Sequence, residues 1–314
     1  MKFAPSFAVF AVIVQLASAA PTIVRRAATT DVATIGYAAL GGTTGGSSGS
    51  TVTVSTLDDL TDALSDDTAK IVLISGTISG NTVVKVGSNK SVLGKSGATL
   101  EGVGLRVLNS ENVIIRNLKI SKVLAEAGDA IGVQASMKVW VDHVDLSSDQ
   151  DHDKDYYDGL LDITHGCTYV SVTNSVLHDH WKSSLVGHSD NNEDEDKAIT
   201  VTYALNKWYN LNSRLPSFRF GTGHIFNNYY YDSNDGINTR VGAQLLVENN
   251  VFSNVSKPLY STDSGYAVAI GNDFGDGENT AEAGTFTTAP YDYDLIDASD
   301  VINAVSDAGA TLSL

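Results

Sequence analysis

The chain repeats itself. Six short β-prone runs share one form: VIIRNLKI (113–120), VWVDHVDL (139–146), VSVTNSVL (170–177), TVTYALNKWY (200–209), HIFNNYYY (224–231) and LLVENNVF (245–252). In each, apolar residues flank one polar position: Asn117, His143, Asn174, Asn206, Asn228 and Asn250, at spacings of 26, 31, 32, 22 and 22. A recurrence of roughly 20 to 50 residues marks a solenoid. One strand-bearing coil per repeat makes it a parallel β-helix. The asparagines then stack at one corner of successive coils, amide to amide. The expected fold is all-β, a right-handed single-stranded parallel β-helix. A β-sandwich of similar strands is the alternative. The longest intervals carry insertions, which in solenoids gather on one face and build the binding site.

A solenoid needs closed ends. Ser55 or Thr56 starts a helix with acids in its first turn and Leu57, Leu60 and Leu64 on one face, placed to cap the first coil. The C-terminal PYDYDLI and DASDVINAVSDAG should run back along or over the last. Residues 1–20 have a lysine, an apolar run and small residues at the end, the pattern of a secretory signal peptide. Residues 21–26 end in Arg25-Arg26, which reads as a propeptide cleavage point or as two solvated arginines. Residues 27–314 then form one domain. Cys167 is the only cysteine, so no disulfide forms within one chain. The acceptor sequons at Asn89 and Asn254 fit an extracellular route.

A net charge of −17 argues against a nucleic-acid partner. An acidic ligand remains open, but cations would have to stand between it and the protein. The stretch 140–166 holds eight aspartates. Asp149, Asp151, Asp153 and Asp155 alternate like the start of an EF-hand, yet Lys154 and Leu160 stand where that loop needs glycine and glutamate. They read as a solvated insertion loop. Asp158 and Asp162 lie next to a strand, and Asp129 leads into a strand one coil earlier. Equivalent places on adjacent coils lie about 4.8 Å apart, so three carboxylates could meet a hard cation there. Turn-capping aspartates are the alternative. Lys182, Arg214 and Arg219 need anionic partners, whether a ligand or the surplus aspartates.

Taken in order, GDAIGV, VWVDHVDLS, DGLLDITHG, VSVTNSVLHDHWKSSLVGHSD, VTYALNKWYNLNSRLPSFRFG and HIFNNYYY resemble secreted pectate lyases of the pectate/pectin lyase family. GYAALGGTTGG resembles the fungal members. The resemblance implies a Ca²⁺ site at Asp129, Asp158 and Asp162, a catalytic arginine at Arg214, and substrate binding by Lys182 and Arg219. Some members carry another acidic ligand where this chain has Ala127, with Glu126 beside it. The implied reaction is β-elimination on α-1,4-linked polygalacturonate by a secreted monomer, with no nucleic-acid or membrane partner. Pectin lyases lose these acids, so their retention favours pectate. Polygalacturonase or a non-catalytic β-helical binding protein are the remaining readings.

Overall fold

The computed structural model describes Met1 and residues 27–314. The signal-peptide and propeptide expectations, including Arg25-Arg26, fall outside them. The described chain winds into the expected parallel β-helix. Eleven strands stack into one sheet, from Ser50–Val54 through Lys70–Ile74 and Lys90–Gly94 to Glu282–Ala283. A second sheet bends into two faces. Its Thr99–Leu108 strand pairs through Thr99 to Glu101 with Lys119–Ser121, and through Leu105 to Leu108 with Ile131–Gln134. Each coil therefore has three sides. Val, Ile and Leu from all three fill one continuous interior that also holds the fully buried Cys167.

The corner between the eleven-stranded face and the next is where the repeat is written, and it corrects the sequence register. Asn206, Asn228 and Asn250 form the expected ladder. The Nδ2 of Asn206 donates to Asn228 Oδ1 at 2.9 Å, Asn228 to Asn250 Oδ1 at 2.9 Å, and Asn250 to Asn272 Oδ1 at 3.0 Å. Asn117, His143 and Asn174 sit one position earlier. They share left-handed backbone, at φ 55°, 50° and 49°, with Leu205, Asn227 and Asn249 of the later coils. Two different demands select asparagine at neighbouring positions: one for a backbone turn that Asn tolerates, the other for an interior amide pair. Ser175, not Asn174, continues the ladder, its N–H donating to Asn206 Oδ1.

The N-terminal cap forms as expected. Helix Leu57–Leu64 starts at Thr56, whose side chain accepts from the Asp59 N–H, and it buries Leu60 and Leu64 over the first coil. The C-terminal segment runs back along the outside of the eleven-stranded sheet. Tyr293 donates to Glu248, the Asn227 and Asn249 amides donate to the Ile296 carbonyl, and Leu312 exchanges two bonds with Asn117. Helix Ala298–Ala304 buries Val301 against Val251.

Candidate active site

Asp129 lies just ahead of Ile131–Gln134. Asp162 is inside Leu161–Thr164 on the next coil, opposite Gly132. Both are held by backbone: the Gly159 N–H donates to Asp129 Oδ1 at 3.0 Å and the Leu185 N–H to Asp162 Oδ1 at 2.8 Å. The two carboxylates crowd one spot, since a Cβ added at Gly159 would lie 2.6 Å from Asp162 Oδ1 and 2.8 Å from Asp129 Oδ1. Burial, then the charge of Asp158, pushes the Asp129 carboxyl up to about 6. Burial, then Asp129 itself, raises Asp162 well above the carboxylate range. Asp158 joins less closely. It faces Lys182, whose Nζ lies 3.5 Å from Asp158 Oδ1 and 3.2 Å from Asp155 Oδ1. Among the described residues, no three His, Cys, Asp or Glu side chains form a ready-made metal cage. Glu126 is exposed and turned to the amide of Asn81.

Lys182 ends the strand Val176–Lys182 and pairs in register with Ser213. Arg214 follows at φ 66°, its carbonyl accepting from the Ser184 N–H. Its positive charge reaches both Asp129 and Asp162, lowering their carboxyl pKa values against the effect of burial. No ion pair among the described residues uses Arg214. Arg219 is different. Its Nε lies 2.5 Å from Asp190 Oδ1, and Arg240, in register one coil on, shares Asp190 and also reaches Asp263. So Asp129, Asp162, Lys182 and Arg214 sit on neighbouring coils at one corner, while Arg219 pairs with a surplus aspartate beside them.

Sequence reasoning missed Asp190, Arg240, Arg106 and His180. Arg106 also lowers the Asp129 carboxyl pKa. Burial lowers His180 to about 4, and its Nε2 lies 2.6 Å from the Asp158 carbonyl. The coil period could have paired Arg219 with Arg240; nothing in the sequence marked His180. The insertion loop is solvated as expected at Asp151, Asp153 and Asp155, while Asp149 turns inward. Asp149 accepts from Tyr157 Oη at 2.8 Å and lies 2.7 Å from His152 Nδ1.

The whole chain, not only this corner, has counterparts among known proteins. The family model described as pectate lyase matches residues 11–299. The chain belongs to the pectate lyase family. It is 60% identical over 301 residues to pectate lyase A of Aspergillus niger, covering 94% of this chain and 93% of that protein. To pectate lyase A of Emericella nidulans it is 60% identical over 294 residues, covering 92% and 90%. A crystal structure of a pectate lyase from Bacillus sp. N165 in complex with trigalacturonate superposes with a TM-score of 0.81 at 32% identity, covering 89% of this chain and 99% of that one. A Bacillus subtilis pectate lyase at 21% identity, covering 94% and 100%, shares the fold with a TM-score of 0.79. The chain is thus a polysaccharide lyase of this family.

Proposed function

We propose that this chain is a calcium-dependent lyase that cleaves α-1,4-linked polygalacturonate by β-elimination, leaving a 4,5-unsaturated sugar. The carrying observation is the crowded pair of half-buried Asp129 and buried Asp162 beside Lys182 and Arg214. The relative bound to trigalacturonate supports the substrate class. The donor set fits Ca²⁺: hard carboxylate oxygens, two of them held in place by backbone N–H groups, with Asp158 within reach as a third. When bound, Ca²⁺ would relieve the repulsion within this set and lend positive charge to the substrate carboxylate as negative charge builds on it.

The chain's own residues supply the rest. Lys182 receives a substrate carboxylate and holds the sugar in the groove, with Arg219 anchoring a neighbouring one. Arg214 takes the C5 proton, which lies alpha to the carboxylate. The C5–H electron pair forms the C4–C5 double bond, the bond from C4 to the glycosidic oxygen breaks, and that oxygen leaves on the adjoining sugar and is protonated. A guanidinium in water keeps its proton above about pH 12, so the base form is reached most easily in alkaline solution.

Residues 27–314 are read as one secreted, monomeric domain acting on the pectin of plant cell walls. Asn254 is exposed, its amide donating to Asp232 Oδ1 at 2.8 Å, and Asn89 is half-buried with its amide on Asp67 and Asn112. The test is polygalacturonate with calcium or with EGTA, followed by the ultraviolet absorbance of the unsaturated product. Product is expected with calcium only. Arg214→Ala should lower kcat at least about 1,000-fold while the protein melts normally. Depolymerisation without an absorbance rise would indicate hydrolysis and sink the lyase reading. Activity that survives EGTA and prefers methylated substrate would indicate a pectin lyase.

A further inference from the structure

We infer that Tyr156 is the sugar-stacking residue beside Lys182, its ring taking the C–H face of a galacturonate adjoining the one whose C5 proton Arg214 removes. This rests on the polygalacturonate reading above. The loop that carries Tyr156 is fixed on both sides. Toward the following coils, Trp181 Nε1 donates to the His152 carbonyl at 2.8 Å, and Gln150 Nε2 donates to the carbonyls of His180 and Asn210. Toward the preceding coil, Tyr157 bridges to Leu124, and the Ala125 N–H donates to the Tyr156 carbonyl at 3.0 Å.

The two adjacent tyrosines then have opposite fates. Tyr157 is 4% exposed, with its hydroxyl on Asp149. Tyr156 is 45% exposed. Its ring is parallel to His152 at 4.0 Å between centroids and meets Tyr157 edge-on at 4.8 Å. A large ring held in water by an anchored loop loses little freedom when a ligand covers it. Galacto-configured sugars offer the match, because the axial O4 leaves the C3, C4 and C5 hydrogens together on one face. The polar half of the subsite is next door: Asp155, the residue before Tyr156, occupies Lys182 at 3.2 Å and is itself well exposed. A uronate carboxylate arriving at Lys182 displaces Asp155 and leaves the adjoining pyranose of the polymer at the ring.

The test is kcat and KM on polygalacturonate with calcium for Tyr156→Ala, Tyr156→Leu and Tyr156→Phe. Tyr156→Ala and Tyr156→Leu should each raise KM about tenfold, with kcat within about twofold and an unchanged Tm. Tyr156→Phe should keep the original KM. An unchanged KM in Tyr156→Ala overturns the inference, as does recovery of KM by leucine, which has bulk but no aromatic face. Early melting with loss of kcat in Tyr156→Ala also overturns it, because the ring would then be a structural element of the loop. Failure of the underlying reading is visible separately, as no unsaturated product from the unaltered enzyme.

Discussion

The coils from Thr200 onward and the coils that carry residues 129–190 are built on the same three-sided frame, yet they treat polar groups in opposite ways. The later coils repeat every 22 residues along the Asn228 ladder, and their interior stacks Trp208, Tyr230, Phe252 and Phe274 with centroids 4.6–5.6 Å apart. Their buried amides answer one another. In the earlier coils, insertions lengthen the repeat, and one corner keeps the half-buried Asp129 and the buried Asp162 close to Arg214, which forms no ion pair among the described residues. The regular half shows what this frame costs to build. The irregular half brings carboxylates together where burial makes their charge costly.

The largest expected contrast comes from Asp162→Asn, which keeps the shape and can still accept from the Leu185 N–H. Activity should fall at least about 100-fold. Without calcium at pH 8 the same variant should melt higher than the unaltered protein, because one of two repelling carboxylates is gone. The sign follows from Asp129. A carboxyl raised to about 6 binds its proton more tightly in the folded state, so calcium-free stability falls as pH rises from about 4 through 6. Calcium should therefore raise Tm more at pH 8 than at pH 5, and Asp162→Asn should lose that gain. A variant that still gains Tm from calcium would remove Asp162 from the clamp.

Asn228→Ala should act on the other half alone. It leaves the partners of the Asn228 amide unpaired inside the corner and should cost about 2–3 kcal/mol in denaturant unfolding, with kcat unchanged. A matching loss of activity would mean that the two halves are not independent.

The smallest effect concerns His224 under the C-terminal strap. Burial lowers it to about 4, while Glu248 partly offsets that. A histidine lowered in the folded state contributes stability that is lost as pH falls below about 6.5, the unfolded value. Replacing it by Gln should remove about 1 kcal/mol of acid sensitivity at pH 5.5, read as a flatter Tm-against-pH curve than that of the unaltered protein. An unchanged curve would mean that the strap opens before His224 titrates.

The fold was legible because a solenoid writes its period into the chain: Asn228 and Asn250 recur at the coil length whatever else the sequence does. The N-terminal cap was legible through Thr56 and the Leu57, Leu60 and Leu64 face. The one-residue phase of the ladder was not, because Asn suits both the left-handed turn at Asn174 and the interior amide position of Asn206. Only stacking separates the two. Likewise, Asp129, Asp162, Lys182 and Arg214 could be named from local patterns and resemblance, since each lies near a strand end whose coil is countable. That Arg219 is tied to Asp190, that Asp155 rests on Lys182, and that Tyr157 turns inward while Tyr156 stays in water could not be read from spacing. Those outcomes are set by side chains from insertions whose lengths follow no period, so their meeting points exist only once the coils have stacked.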